Sequence, residues 1–149
     1  MERRHVLVSL SALALALLAG CASVPMAPQD DDVRAKSFTV RSGKANIYLY
    51  RNETFGGVVP MTVSFDGKVA GQTGPQTFFL WEADPGPHEI SSMAEDVSTI
   101  RINAEAGRAY FSWQEVKMGL WMARSLLQQV DEAAGRKGVA ECKRAQSNL

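Results

Sequence analysis

The chain has 149 residues, which is enough for one domain and little else. Its 16 Lys and Arg residues balance its 16 Asp and Glu residues, so the charge gives no reason to expect a nucleic-acid partner. Two His and two Cys in the whole chain offer too few ligands for a clustered metal site. The composition therefore predicts neither a metal nor another cofactor.

The first twenty residues are predicted to be an export signal and not part of the fold. Arg3 and Arg4 give a basic start, and residues 6–19 carry no charge. A bilayer-spanning helix needs about 20 apolar residues, so this run is short for a permanent span and has the length of a signal peptide's apolar region. A core helix would show one apolar stripe, whereas this run is apolar on every side.

The run ends in Leu18-Ala19-Gly20-Cys21, which resembles the lipobox of bacterial lipoproteins. The resemblance implies that lipid is attached to Cys21 and that the chain is cut between Gly20 and Cys21. Acyl chains such as palmitate would then hold the mature protein on a membrane, because two or more chains bind stably whereas one myristoyl chain binds reversibly. Ala22, and not Asp, follows the cysteine, which by the sorting rules of such lipoproteins implies the outer membrane, facing the periplasm.

Residues 21–37 are predicted to be the lipidated N-terminus and a disordered tether. This stretch contains Pro25, Pro28 and three consecutive Asp residues, with few large apolar groups. The Asp run lacks the spacing of an EF-hand calcium loop and is predicted to be a solvated acidic spacer. Lipid on Cys21 would leave Cys142 without a disulfide partner, and we expect Cys142 to be a half-buried apolar side chain.

Residues 38–149 alternate apolar and polar side chains with the period of β-strands. The segment Ala45–Arg51 places aliphatic residues on one face and Tyr48 and Tyr50 on the other, and residues 59–65 alternate without a slip. Asp66-Gly67 then predicts a hairpin. Further strands are predicted at 77–81, 88–93, 98–103 and 108–116. Six to eight short strands separated by turns predict a small antiparallel β-sandwich.

The C-terminal part is less regular. Residues 120–130 fit either a last strand or the start of a helix. Residues 131–145 are predicted to form a C-terminal helix with Asp131 as its N-cap, although Gly135 and Gly138 weaken this prediction.

The body of the chain contains the short motifs Leu49-Tyr50-Arg51, Asp66-Gly67-Lys68, Pro85-Gly86-Pro87-His88 and Tyr110-Phe111. In this order they resemble an uncharacterised family of bacterial lipoproteins with a domain of unknown function. The Asp-Gly-Lys and Pro-Gly-x-His elements also resemble small envelope β-sandwich modules with Pro-Glu-Gly-Ala-type repeats. The resemblance spans about residues 43–144 and implies no catalytic residues.

Residues capable of catalysis are few in this chain. His88 follows a Pro-Gly turn and is predicted to be hydrogen-bonded there or to face solvent, not to act as a ligand or general base. The chain has no Gly-x-Ser-x-Gly nucleophile elbow and no phosphate-loop spacing. We therefore expect a protein without enzymatic activity. A periplasmic enzyme acting on cell-wall or lipid material and a small-ligand carrier with an apolar cavity are the alternatives.

Four aromatic residues form the candidate binding surface: Tyr48, Tyr50, Trp113 and Trp121. Paired exposed tyrosines suit carbohydrate or protein, but packing under the C-terminal segment is the favoured alternative. The apolar group around Trp113 and Trp121 would dock a partner or lie on the bilayer, with packing under the C-terminal helix again favoured. The sequence thus predicts a membrane-anchored envelope lipoprotein that binds or supports an envelope protein or a cell-wall component.

Overall fold

The computed structural model describes residues 24–54 and 59–149, so the predicted export signal and the predicted cleavage and lipidation residues Gly20 and Cys21 lie outside the described residues. Two helices and nine strands occur in the described ranges, and they follow one another in this order: α1 (Gln29–Ala35), β1 (Ala45–Arg51), β2 (Met61–Phe65), β3 (Lys68–Thr73), β4 (Thr77–Ala83), β5 (Gly86–Met93), β6 (Val97–Ala104), β7 (Ala109–Met118), β8 (Ala123–Val130), α2 (Glu132–Ala140) and β9 (Lys143–Arg144).

The strands form two sheets packed face to face. One sheet has five strands in the order β8-β7-β1-β4-β9, and the other has four in the order β3-β2-β5-β6. In the five-stranded sheet β1 is central, antiparallel to β4 and parallel to β7, and β9 is parallel to β4. The prediction of a mainly β, sandwich-like domain with a C-terminal helix is confirmed, with nine strands in place of six to eight and with two parallel pairings.

The core lies between the two sheets. Ile47 and Leu49 of β1 and Phe79 of β4 face Val63 and Ile90 of the four-stranded sheet, and all five are fully buried. These are the aliphatic and aromatic positions that the period-two pattern places on one face of each strand. The space between the sheets is therefore filled by apolar side chains.

A second apolar layer covers the outside of the five-stranded sheet. Tyr48, Tyr50 and Phe111 point away from the core and pack with Val139 of α2 and Ala35 of α1. The helix can approach because two of its residues lack side chains. A Cβ on Gly135 would lie 2.1 Å from Phe111 Cγ, and a Cβ on Gly138 would lie 2.1 Å from Tyr50 Cε2.

The hairpin between β2 and β3 has the turn that its sequence predicts. Asp66 and Gly67 both have positive φ, 50° and 77°, and Phe65 pairs directly with Lys68. A two-residue loop with positive φ at both positions is the type I′ geometry, which matches the right-handed twist of the strands. Pro60 lies directly before β2, where no ladder hydrogen bond is required of it.

Residues 24–37 are ordered, which corrects the prediction of a disordered tether for this part of the chain. Val24 is buried, Met26 pairs with Ala145, and the Asp run forms the first turn of α1. Asp32 Oδ1 accepts a hydrogen bond of 2.7 Å from the backbone N–H of Arg144. The composition is that of a spacer, but pairing with the C-terminal segment, about 110 residues away in the chain, holds it.

The C-terminal helix begins where predicted and ends earlier. Asp131 Oδ1 accepts a hydrogen bond of 2.8 Å from the Ala134 N–H and is the N-cap, but α2 ends at Ala140 and not at residue 145. Beyond it Cys142 turns inward and β9 pairs with the start of β4. Of the two alternatives for residues 120–130, the structure shows a strand, β8.

Candidate functional site

The two outer faces of the sandwich differ. The five-stranded sheet is covered by α1, which packs near β9, and by α2, which packs across β1 and β7. The outward residues of the four-stranded sheet are mostly polar and partly or fully exposed, among them Thr62, Ser91 and Thr99. We call this surface the open face.

Tyr48 and Tyr50 do not form an exposed surface, which corrects their assignment to the candidate binding surface. Tyr48 is 0% exposed and Tyr50 5%. The Tyr48 hydroxyl donates a hydrogen bond of 2.8 Å to the Ala35 carbonyl, and its ring stacks on Phe111 at 4.9 Å between centroids. Burial raises the pKa of Tyr48, and it raises the pKa of Tyr50 to about 12. Both tyrosines pack under the helices, as the favoured alternative stated.

The two candidate tryptophans are in different environments. Trp113 pairs with Tyr50 in the neighbouring strand and is half buried beside the helix-covered layer. Trp121 lies in the turn between β7 and β8 and is 86% exposed. The structure therefore brings Tyr48, Tyr50 and Trp113 together in the layer that the two helices cover and leaves Trp121 separate from them.

The open face carries hydroxyl groups and one ion pair across its centre. The hydroxyls of Ser91 and Thr99 are 2.9 Å apart in a directly paired position of β5 and β6. Next to them Arg101 Nε donates to Glu89 Oε2 at 3.0 Å. These groups are at the surface and have further donor and acceptor positions, so they can hydrogen-bond to a polar partner. The sequence did not single out these residues, because an alternating pattern does not distinguish polar positions that bind a partner from polar positions that only face water.

The turn between β7 and β8 presents a second exposed surface of opposite character. Met118, Leu120, Trp121 and Met122 are all exposed, between 59% and 86%, and no charged residue lies between Met118 and Ala123. We call these four residues the apolar tip. Two hydrogen bonds shape its base: Gly119 N–H donates to the Met122 carbonyl at 2.9 Å, and Met122 N–H donates to Glu95 Oε2 at 3.2 Å.

A buried polar cluster joins the sheets near the end that carries this tip. Gln114 of β7 is fully buried; its Oε1 accepts from the Thr73 hydroxyl and its Nε2 donates to the Ser92 hydroxyl, both at 2.6 Å. Arg51 is also fully buried and donates from Nη1 to the Val59 carbonyl at 2.8 Å. Both residues bond to other parts of the fold, which indicates a structural role. The sequence indicated Gln114 and Arg51 only by placing a polar residue on the apolar face of each strand.

His88 is held at the opposite end of the sandwich. Its Nδ1 lies 2.7 Å from Asp66 Oδ2 and its Nε2 lies 2.7 Å from the Asp84 carbonyl, while the ring stacks on Phe65. Burial by itself lowers the pKa of His88, but the two hydrogen bonds and the Asp66 charge outweigh it, so the pKa is raised. Both ring nitrogens face acceptors, which favours the imidazolium form. Of the two predicted alternatives, a hydrogen-bonded or a solvent-facing histidine, the structure shows the first, with His88 near the start of β5.

Cys142 is more deeply buried than expected. It is 1% exposed, and its thiol donates to the Arg51 carbonyl at 3.4 Å. Burial raises the pKa of Cys142 to about 12. Since the thiolate is the reactive form, this cysteine is a packing residue and not a nucleophile.

Residues 24–54 and 59–149 contain neither a cluster of metal-ligating side chains nor a helix that could span a membrane. No group of three or more His, Cys, Asp or Glu side chains in these ranges is arranged to hold a metal ion. Neither α1 nor α2, the helices found there, has the length and apolar character that crossing a bilayer requires.

Comparison with known proteins identifies the domain by family. Residues 41–125 match the model of the family described as Protein of unknown function (DUF2846), and this range contains β1 to β7, and so the whole of the open face. The chain is also 33% identical over 134 residues to an uncharacterized protein of Haemophilus influenzae. The aligned residues make up 89% of this chain and 80% of that protein. The chain therefore belongs to the DUF2846 family of proteins of unknown function.

Proposed function

We propose that the chain is an envelope lipoprotein, anchored by lipid on Cys21, which binds or supports another envelope component and catalyses no reaction. The observation that carries the proposal is the Leu18-Ala19-Gly20-Cys21 sequence directly after an uncharged run of signal-peptide length. A diacylglyceryl group together with an amide-linked chain exceeds the two-chain threshold for stable anchoring. Ala22 favours the outer membrane, with the domain facing the periplasm.

The open face is the surface that we assign to the envelope partner. It is polar, it is fully contained in the family-matched range, and no ordered helix of residues 24–54 or 59–149 is seen to cover it. Ser91, Thr99 and the Arg101–Glu89 pair supply hydrogen-bonding groups of both kinds. A polar partner, either an envelope protein or a cell-wall polymer, fits this chemistry.

The two alternatives receive less support from the geometry. An enzyme acting on cell-wall or lipid material needs convergent reactive groups, but His88 is engaged on both nitrogens and Cys142 is buried. A small-ligand carrier needs an apolar cavity between the sheets, and the fully buried side chains of Ile47, Leu49 and Phe79 lie in that space.

The anchor is tested by labelling cells with radioactive or clickable palmitate. The wild-type chain should be labelled and cut, whereas Cys21→Ser should give unlabelled, uncut precursor. Cys142→Ala removes the other cysteine and is the matched control; it should label like wild type. Label that persists on Cys21→Ser would overturn the anchor.

The partner surface is tested by placing a photo-crosslinking residue at Thr62 or Thr99 in intact cells. Both positions lie on the open face and should capture the same envelope component. Lys137, exposed on α2, is the control position. Capture from position 137 without capture from 62 and 99 would assign the partner to the helix-covered side and contradict this part of the proposal.

A further inference from the structure

The first described residue, Val24, lies at the same end of the sandwich as the apolar tip. Its methyl groups would lie 3.5 Å from a Cβ on Gly74. Gly74 precedes β4, whose first residue Thr77 pairs with Arg51, the last residue of β1. The turns 74–76 and 119–122 lie at this end because β1 and β7 run towards it. The turn 94–96 lies there too, since Gln114 of β7 bonds to Ser92 of β5 and Met122 bonds to Glu95. We call this end of the sandwich the anchor end.

The chain between the lipid and the fold is short. Cys21 precedes Val24 by three residues in the sequence, and an extended residue spans at most about 3.6 Å, so a lipid on Cys21 would be joined to Val24 by at most about 11 Å of chain. A tether of this length holds the anchor end of the domain near the headgroups. A disordered tether over residues 21–37, as the composition predicts, would have allowed the domain to stand away from the membrane.

The β7–β8 hairpin projects from this same end. Trp113 is level with Tyr50, so β7 continues past the end of β1 by four residues, or about 13 Å at the usual rise of a strand. The apolar tip lies at the end of this projection. The flanking cations are already paired: Lys117 with Glu115 at 3.1 Å, and Arg124 with Glu95 at 3.7 Å.

Three other exposed apolar side chains lie at the anchor end as well. Val59 lies just before β2, and Met93 and Val97 form a directly opposed pair beside the 94–96 turn. Trp121 has the amphipathic ring that is enriched at membrane–water interfaces, and Leu120 and Met122 supply apolar surface on either side of it. Burying an exposed apolar group of this size in the outer part of a bilayer removes its surface from water, which is favourable.

We propose that the apolar tip inserts into the membrane interface beside the lipidated Cys21 and gives the domain a fixed orientation on the bilayer. This inference rests on the proposed lipid anchor. The lipid on Cys21 is the first contact with the membrane and attaches the domain to it. The apolar tip is a second contact close by, and two contacts prevent the domain from rotating freely about the lipid. The open face then stands at a defined angle to the membrane.

The test uses the lipidated, full-length mature protein in vesicles of phosphatidylethanolamine and phosphatidylglycerol, with bromine on part of the acyl chains. The fluorescence difference between wild type and Trp121→Phe reports the tip alone, because Trp81 and Trp113 are common to both. We expect this difference spectrum to be blue-shifted and quenched by the brominated lipid. Val69→Ser, which removes another exposed apolar side chain, in β3 near the opposite end, should leave the quenching unchanged.

Three outcomes would overturn the inference. If Trp121 emits at the wavelength of a water-exposed tryptophan and is quenched by iodide, the tip is in solvent although the lipid anchor holds the protein on the vesicle. A signal shielded from iodide but not quenched by bromine would show that the tip packs on protein, such as a second copy of the chain. If the purified chain carries no lipid on Cys21, the proposed function itself fails, and the mass of the protein identifies this case.

Discussion

Gly138 of α2 lies directly against the ring of Tyr50, so closely that a Cβ on the glycine would be 2.1 Å from Tyr50 Cε2. The same helix meets Phe111 at Gly135 in the same way. Two residues that weaken the helix by propensity are therefore the residues that let it cover the sheet. Local preference and tertiary packing oppose each other here, and packing determines the result.

Gly138→Ala should destabilise the domain by about 1–3 kcal/mol, because the added methyl group overlaps a buried aromatic ring. Helix propensity alone would predict the opposite sign, a gain of about 0.8–1 kcal/mol. Denaturant unfolding followed by intrinsic fluorescence measures the difference. Lys137→Ala, at an exposed position one residue earlier, is the control and should change the free energy of unfolding by less than about 0.5 kcal/mol.

Gln114→Leu should lower the free energy of unfolding by about 1–3 kcal/mol, the cost of an unsatisfied buried polar group. The substitution removes the amide that bonds the Thr73 and Ser92 hydroxyls, and only the Thr73 hydroxyl keeps another partner, the Met61 carbonyl at 3.4 Å. Gln129→Leu in the neighbouring strand β8 is the matched control, since Gln129 is exposed. Equal unfolding midpoints for the two variants would show that the inter-sheet cluster contributes nothing.

The hydrogen bonds of His88 predict a pH dependence of stability. Its pKa is raised in the folded protein, so its contribution is complete below the ordinary value of 6.5 and is lost as pH rises through the raised pKa. Wild type should lose this increment on going from mildly acidic to mildly alkaline pH, and His88→Gln should not. A parallel pH profile for both proteins would contradict the prediction.

The two acidic neighbours of His88 raise its pKa through different groups. Asp66 contacts the ring with its carboxylate, whereas Asp84 contacts it with its backbone carbonyl. Asp66→Asn should therefore lower the His88 pKa measured by NMR, and Asp84→Asn should change it less because the carbonyl is retained.

Cys142 should react with iodoacetamide only after unfolding. Its thiol is 1% exposed and burial raises its pKa to about 12, which lowers the thiolate fraction near neutral pH by several powers of ten. A cysteine introduced at exposed Thr99 is the positive control and should be modified in the native state. Native labelling of Cys142 at the rate of the control would mean that the C-terminal segment opens readily.

The sequence alone was sufficient for the elements that depend on neighbouring residues. Strict alternation predicts β1 and β2, Asp66-Gly67 predicts the hairpin turn, and Asp131 predicts the N-cap of α2. In each case the physical cause acts within about four residues, through the pleat of a strand, the φ of a turn or an orphan N–H group. Short-range signals of this kind are readable without knowing the fold.

Tertiary structure decided which surfaces meet water and which meet protein. β1 carries apolar or aromatic groups on both faces, so alternation could not show that Tyr48 and Tyr50 lie under helices. Residues 24–37 are ordered only because the distant Arg144 segment binds them, and β9 exists only because β4 has an edge for it to pair with. Burial, edge pairing and the approach of a glycine to a ring depend on residues far apart in the chain. Their partners are therefore set by the folded arrangement and not by the local pattern.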